Sequence, residues 1–325
     1  MYRKFYGLVQ RPFDLAPARN IVYLSESHKE GLATLRYGVM SDKGFLLLTG
    51  GVGSGKTTLL NHMLNMLYGK IQVCVLNNPT LSRDEFFHYL GGQLGFNYKG
   101  NKSKFISQFS NHLDKYEDIK GKILLIIDEA QAFPIDLLEE IRLLSNHAGA
   151  RNVFSIFLIG QPELQEKLAH PQLLPLRQRI GIRYHLEPMS REDTAQYISY
   201  RLNKAGAVNS AIFTSKAIDC IHEASQGNPR LINIICDHAM ISGFTLDKNQ
   251  IDRDTVFECL KQIRLQGEDA LKVSEFSREI KVPNSGQGVK KKVINTCLFF
   301  LFVVIFIASV RFVWGLFFQD WFTRG

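Results

Sequence analysis

The sequence predicts an α/β domain with a parallel five-stranded sheet and helices on both faces, then a smaller all-helical domain and one transmembrane helix. Over the first 187 residues, apolar runs of strand length alternate with helical stretches, which is the pattern of a parallel sheet. From residue 191 to residue 265 only helical patterns follow. Near the C-terminus, one apolar run is long enough to cross a bilayer.

The first domain is predicted to span residues 1–187. Its five candidate strands are residues 45–49, 73–76, 123–127, 155–159 and 182–185. Several of them are almost entirely apolar, which is typical of strands buried on both faces. The helices predicted between them are residues 56–68, 83–94, 104–115 and 135–146.

The second domain is predicted to span residues 188–265 and to contain helices alone. The helical stretches are residues 191–205, 215–225, 230–245 and 253–265. Ser190, Thr214 and Asp252 precede three of these stretches and are suitable N-cap residues, because their side-chain oxygens can accept hydrogen bonds from free backbone N–H groups.

The C-terminal part of the sequence indicates a single membrane anchor. Residues 266–292 are predicted as a polar linker, residues 293–318 as the transmembrane helix and residues 319–325 as a short periplasmic tail. At about 1.5 Å per residue, this helix would reach about 39 Å, which exceeds a bilayer core of about 30 Å. Lys290, Lys291 and Lys292 precede it, so we expect the larger N-terminal part on the cytoplasmic side of a bacterial inner membrane.

Composition excludes several other classes of protein. Of the 325 residues 45% are hydrophobic, which is enough for a sizeable core. The five cysteines are scattered, so neither a disulfide framework nor a cysteine-based zinc site is expected. The net charge of +8 is spread along the chain, so it favours nucleic acid as a partner only weakly.

A glycine-rich loop after the first strand predicts a phosphate-binding site. Its residues are Gly50, Gly51, Val52, Gly53, Ser54, Gly55, Lys56 and Thr57, followed by Thr58, and they fit the pattern G-x-x-x-x-G-K-[ST]. The loop lies between a strand and a helix, so its N–H groups and the helix N-terminus can surround phosphates. Lys56 is expected on the β- and γ-phosphates of ATP, and Thr57 on Mg²⁺.

The third candidate strand ends in two carboxylates, which complement this loop. Asp128 is expected to organise Mg²⁺ and its waters. Glu129 is expected to orient and deprotonate the attacking water. The sequence therefore predicts an enzyme, an ATPase that uses ATP with Mg²⁺.

Four further polar residues are candidates for the same site. Gln161 follows the fourth strand and would position water, or it simply begins a loop. Arg177 and Arg179 precede the fifth strand; either would stabilise the transition-state charge at a neighbouring subunit's nucleotide, or both are solvated surface residues. Arg230 follows Pro229 at a helix start and would face the γ-phosphate, unless this turn is only a helix cap.

Together these motifs resemble those of AAA+ ATPases, and most closely the ExeA/GspA type of general secretion and its relative MshM of pilus biogenesis. The resemblance covers residues 1–265. Besides the glycine-rich loop and the acidic strand it rests on these segments: Tyr2 with Phe5-Tyr6-Gly7-Leu8, Pro12-Phe13-Asp14-Leu15-Ala16-Pro17, Tyr23-Leu24-Ser25-Glu26-Ser27-His28, Asp128-Glu129-Ala130-Gln131, Gly160-Gln161-Pro162-Glu163-Leu164, Leu176-Arg177-Gln178-Arg179-Ile180 and Gly227-Asn228-Pro229-Arg230.

This resemblance implies a five-stranded sheet, a helical lid, nucleotide bound between them, and homo-oligomers in the ATP state. It also implies a membrane anchor after the ATPase domain and partners that assemble a secretin or a pilus through the cell wall. A periplasmic peptidoglycan-binding domain follows the anchor in ExeA-like proteins. Only residues 319–325 follow it here, so that role is expected to fall to a separate subunit.

Two other functions are compatible with the sequence. The same module resembles TniB-type transposition proteins, which predicts a DNA-associated ATPase, although a membrane anchor disfavours that role. A nucleotide-gated membrane scaffold with little hydrolysis is the other alternative, disfavoured by the presence of Glu129, Gln161 and Arg230.

Overall fold

The computed structural model describes residues 2–15, 22–41, 44–67, 71–77, 81–96, 98–148, 152–207 and 211–265. All of them belong to one unit of the chain, Met1–Lys272. The predicted linker 266–292, transmembrane helix 293–318 and tail 319–325 lie outside the described residues. None of the helices within the described ranges has both the length and the apolarity that crossing a membrane requires.

Five parallel strands form one sheet, as the sequence predicts. The strands are β1 Phe45–Gly50, β2 Ile71–Leu76, β3 Lys122–Ile127, β4 Phe154–Gly160 and β5 Ile180–Leu186. Their spatial order is β2-β3-β4-β1-β5, and every neighbouring pair is parallel. Strand β4 therefore separates β1, which precedes the glycine-rich loop, from β3, which ends just before Asp128. Ligands of such sheets bind outside the carboxyl ends of the strands, where both of these segments lie.

Twelve helices and two short 3₁₀ turns accompany the strands in the described residues. The helices are α1 Tyr2–Phe5, α2 Glu26–Met40, α3 Lys56–Asn65, α4 Arg83–Leu94, α5 Lys102–Asp118, α6 Ile135–Ala148, α7 Glu163–Leu168, α8 Leu174–Arg179, α9 Arg191–Lys204, α10 Ser215–Ser225, α11 Pro229–Thr245 and α12 Arg253–Leu265; the turns are Ala130–Ala132 and Pro171–Leu173. The sequence patterns predict eight of these helices, and α1, α2, α7 and α8 are additional to them.

The sheet is buried on both faces because its strands carry apolar side chains on alternate sides. Leu125 and Ile156 belong to a core on one face, to which helices α4, α5 and α6 contribute. Leu124 and Phe157 belong to the core on the other face, to which α2 and α3 contribute. Both faces are therefore covered by helices, as predicted.

The helical region has a separate core and three of the predicted caps. Ser190 caps α9 and Thr214 caps α10 through their side-chain oxygens. Asp252 accepts hydrogen bonds from the backbone N–H and hydroxyl of Thr255, at 2.9 and 2.7 Å, and from Lys248 at 2.8 Å. Partial burial raises the pKa of Asp252, but these hydrogen bonds outweigh it and lower the pKa to about 2.

The N-terminal segment packs in the helical core rather than in the α/β part. Tyr2, Tyr6, Leu8 and Phe13 are buried among side chains of α9 to α12. The Tyr6 hydroxyl donates to the carbonyl of Lys248 at 3.0 Å. The sequence interpretation places these residues with the α/β domain, and the structure differs here because their partners lie more than 180 positions further along the chain. The boundaries proposed for the two domains otherwise stay predictions.

Candidate nucleotide-binding site

The glycine-rich loop turns sharply from β1 into α3 at the carboxyl edge of the sheet. Gly55, the residue before α3, has a φ of 98°, a left-handed conformation that favours glycine. Within the described residues, no side chain caps the first turn of α3. The backbone N–H groups there lack intrahelical partners, and the helix dipole favours an anion in front of them.

Lys56 is a buried cation without a counter-ion in the part of the chain that the structure describes. Its side chain is only 5% exposed, and its ammonium group donates to the carbonyls of Gly50 and Gly51 at 2.8 and 2.9 Å. Burial lowers the pKa of Lys56, although the charges of Glu129 and Asp128 oppose this effect. An unpaired buried ammonium is costly, so the loop is suited to an anionic phosphate.

Thr57 and Asp128 form the part of the site that is suited to a metal ion. The Thr57 hydroxyl donates to an Asp128 carboxylate oxygen at 3.0 Å, and Asp128 is buried. Hydroxyl and carboxylate oxygens are ligands that Mg²⁺ prefers, and it usually takes its other ligands from phosphates and water. The donor set therefore fits Mg²⁺.

Glu129 faces the same cavity with an ionised carboxylate. Its Oε2 atom accepts hydrogen bonds from the side-chain amides of Gln131 at 2.6 Å and Gln161 at 3.3 Å. The hydrogen bond from Gln131 lowers the pKa of Glu129; partial burial opposes this, while Gln161 and Lys56 reinforce it. The sequence predicts that Gln161 positions the attacking water. In the structure Gln161 contacts the carboxylate of Glu129, the residue that is predicted to activate that water.

A cavity of about 380 Å³ joins the glycine-rich loop to the helical region. This volume is within the usual range for small-molecule sites. The predicted residues that line it are Val52, Gly53, Gly55, Lys56, Thr57, Thr58, Glu129 and Arg230. The structure thus brings the loop, the acidic strand and the helical region together around one cavity.

The helical region contacts the loop through Asn228. Its side-chain oxygen accepts hydrogen bonds from the backbone N–H groups of Arg230 and Leu231 in the first turn of α11. Its side-chain nitrogen donates to the carbonyl of Val52 at 2.6 Å. One amide therefore both caps the helix and ties it to the phosphate loop, and this places Arg230 beside the loop.

The cavity also has apolar and aromatic lining residues, which the sequence motifs do not identify. Val22, Tyr23, Leu24, Met189 and Tyr197 line it. The Tyr23 ring lies 5.7 Å from the ring of Tyr197. Such a surface is suited to a flat heterocyclic base. The only signal in the sequence was the segment beginning at Tyr23, which carried part of the family resemblance.

His28 contacts the backbone of the glycine-rich loop, and the sequence motifs do not identify it as a site residue. Its Nε2 atom lies 3.0 Å from the carbonyl oxygen of Ser54, and its Nδ1 atom lies 2.6 Å from the Ser25 hydroxyl. Burial lowers the pKa of His28, although the hydrogen bond to Ser54 opposes this effect. A neutral imidazole can donate to the Ser54 carbonyl and accept from Ser25, so it links α2 to the loop.

Arg177 and Arg179 are exposed and do not line this cavity. The Arg179 guanidinium donates to the Ser145 hydroxyl at 2.9 Å. Arg177 lines a second cavity of about 380 Å³ together with Thr49, Arg183 and His185. The role of Arg177 and Arg179 at a neighbouring subunit stays a prediction.

The fold and site together define a P-loop protein of the AAA+ architecture: a five-stranded parallel α/β core with a helical lid. The comparison with protein families agrees, since residues 39–168 match the family model described as "AAA domain".

A more particular relationship comes from a curated relative. The chain is similar to "General secretion pathway protein A" from Aeromonas hydrophila, with 38% identity over 260 residues. The match covers 77% of this chain and 46% of the relative, so the chain spans about half the length of that protein. This confirms the resemblance to AAA+ ATPases of the general secretion type.

Solved structures share the fold at low identity. The chain is similar to Cdc6p from Pyrobaculum aerophilum, with a TM-score of 0.57 and 12% identity over 78% of this chain and 71% of that one. It is also similar to a structure of Drosophila ORC bound to DNA, with a TM-score of 0.58 and 16% identity over 78% of this chain and 64% of that one. At these identities the likeness concerns the fold alone.

Proposed function

We propose that this protein binds ATP with Mg²⁺ and hydrolyses it. The observation that carries the proposal is the buried, unpaired ammonium of Lys56, which lines the same cavity as the carboxylate of Glu129. A purely structural loop has no need for a cation without a counter-ion, whereas a triphosphate supplies several negative charges at that position.

In this proposal the residues of the site have different roles in ATP binding and hydrolysis. The loop backbone and Lys56 bind the phosphates, and Arg230 of the lid meets them from the other side. Thr57 and Asp128 would hold Mg²⁺, which when bound neutralises phosphate charge and orients the phosphates. Glu129 orients a water molecule toward the γ-phosphorus and accepts its proton, so that ADP and inorganic phosphate are formed.

The cellular role that we propose is assistance in assembling an envelope secretion or pilus complex. The similarity to general secretion pathway protein A supports it. The apolar run at residues 293–318 supports a single anchor in the bacterial inner membrane, with the ATPase on the cytoplasmic side. The proposed partners are further copies of this chain, secretin or pilus assembly proteins and a separate peptidoglycan-binding subunit.

Hydrolysis is tested with the full 325-residue chain purified in detergent. Glu129→Gln should retain ATP binding and lose turnover, because the amide cannot accept the proton. Glu166→Gln, an exposed position on α7, is the matched control and should hydrolyse ATP like the unaltered chain. If Glu129→Gln turns over ATP normally, Glu129 is not the base; if the unaltered chain binds no ATP, the proposed function is wrong.

The cellular role needs a separate experiment. Tagged Glu129→Gln protein, held in its ATP-bound state, is isolated from solubilised membranes and its companions are identified by mass spectrometry. Secretin, pilus or peptidoglycan-binding proteins support the proposal. Transposase or other DNA-processing proteins contradict it and favour the DNA-associated alternative.

A further inference from the structure

A second glutamine, Gln131, contacts the carboxylate of Glu129 more closely than Gln161 does. Gln131 lies in the 3₁₀ turn Ala130–Ala132, directly after the acidic strand end. Its Nε2 atom donates to Glu129 Oε2 at 2.6 Å, and its Oε1 atom accepts the backbone N–H of Gln161 at 3.1 Å. One side chain therefore joins the ends of strands β3 and β4.

The orientation of this amide is determined by its partners. The backbone N–H of Gln161 can only donate, so it must face the oxygen of the Gln131 side chain. The nitrogen is then left to face Glu129, whose ionised carboxylate can only accept. Rotating the amide by 180° would lose both hydrogen bonds, so the donor toward Glu129 is fixed.

The surrounding structure is shaped around this side chain. A Cβ atom at Gly160 would lie 2.6 Å from Gln131 Oε1, so the absence of a side chain at that position makes room for the amide. Lys167 of α7 donates to the backbone carbonyls of Gln131 and Phe133. The turn that carries Gln131 is thus held from a third element, and its side chain has a defined position.

These contacts leave the two oxygens of Glu129 in different situations. Oε2 accepts hydrogen bonds from the side-chain amides of both glutamines, whereas Oε1 has no hydrogen-bond partner among the residues that the structure describes. We propose that Gln131 is a positioning residue for ATP hydrolysis: it fixes Glu129 through Oε2 so that Oε1 remains available to the attacking water. This inference rests on the proposed function, in which Glu129 is the base.

The test compares steady-state ATP hydrolysis and ATP binding by the full chain. Gln131→Met keeps the length of the side chain and removes both hydrogen bonds; we expect kcat to fall about tenfold or more, because Glu129 loses its orientation. The KM and the Kd for ATP should stay within about twofold, because Gln131 does not line the cavity. Gln172→Met, at an exposed glutamine, is the matched control and should behave like the unaltered chain.

A double mutant separates positioning from a general structural role. If Gln131 acts through Glu129, then Gln131→Met should cause no further loss of the residual single-turnover rate in a Glu129→Gln background. An unchanged kcat in Gln131→Met, a loss of ATP binding, or an additive loss in the double mutant would each overturn the proposal. The first of these results, combined with an inactive Glu129→Gln, would leave the proposed function standing.

Discussion

The contact between Asn228 and the phosphate loop allows a quantitative prediction about how the lid affects ATP binding. Asn228→Ala removes the cap of α11, worth about 1 kcal/mol, and the hydrogen bond to the Val52 carbonyl, worth about another 1 kcal/mol. Asn228→Ser keeps an oxygen that can cap α11, but the serine side chain is too short to reach the carbonyl of Val52. The alanine variant should therefore lose about 2 kcal/mol of stability and the serine variant about 1 kcal/mol.

The two variants should differ in stability but agree in ATP affinity. The Val52 contact is the bond by which Asn228 ties the lid to the phosphate loop, and losing about 1 kcal/mol there corresponds to about a fivefold rise in the Kd for ATP. The unfolding temperature should fall by about 4–8 °C for Asn228→Ala and by about 2–4 °C for Asn228→Ser. A titration with a fluorescent ATP analogue measures the affinity.

The serine variant tests the contribution of the Val52 contact. If Asn228→Ser binds the analogue as tightly as the unaltered chain, the lid contact does not contribute to nucleotide binding. If it is destabilised as much as Asn228→Ala, the Val52 contact rather than the cap carries the stability.

Three further predictions address other charges. Lys56→Ala should abolish binding of the ATP analogue, because the phosphates lose their nearest cation; retained affinity would contradict the assignment of the loop. Arg179→Ala should reduce the part of the ATPase activity that rises with protein concentration, and it should leave nucleotide binding unchanged. Arg177→Ala, tested in parallel, shows which of the two arginines acts on a neighbouring subunit. If the activity of the unaltered chain does not depend on protein concentration, neither arginine has this role. Asp252→Asn should lower the unfolding temperature at pH 7 but not near pH 2. Folding lowers the pKa of Asp252 to about 2, so its ionised carboxylate stabilises the folded state above the unfolded pKa near 4. This stabilisation is lost as the pH falls to about 2. An equal effect at both pH values would show that its charge is not involved.

The strands and the phosphate site were predictable because their signals are local. A continuous apolar strand, a glycine-rich loop and a helix follow one another within residues 45–65, and each part of the pattern supports the others. The parallel sheet followed from the apolar runs, since strands buried on both faces show no alternation. Loop and acidic strand meet because parallel strands bring their carboxyl ends to one edge.

Helix α2 was not predictable from apolar periodicity. Its buried positions recur with helical spacing, but three of the six are His28, Gly31 and Gly38, which give no apolar signal. Conversely, Tyr37 and Met40 are 58% and 77% exposed, so they blur the pattern further. Burial here is set by contact with the sheet and the phosphate loop, which no window of sequence contains.

The role of Gln131 was equally hidden, for a different reason. Its sequence position, two residues after Glu129, shows only that it follows the acidic strand end. Its function depends on the backbone N–H of Gln161 and on the open space at Gly160, thirty positions away. Contacts of this kind become visible only when β3 and β4 lie side by side.

The N-terminal aromatic residues also constrain how the chain is made. The Tyr2 hydroxyl donates to Asp237, which lies 235 positions later in the sequence, and Phe13 stacks edge-on against Phe213. A ribosome that adds about 5–20 residues per second leaves these side chains without their partners for roughly 10–50 s. During that interval the nascent chain exposes this apolar segment, and the helical core closes only after α11 has left the exit tunnel.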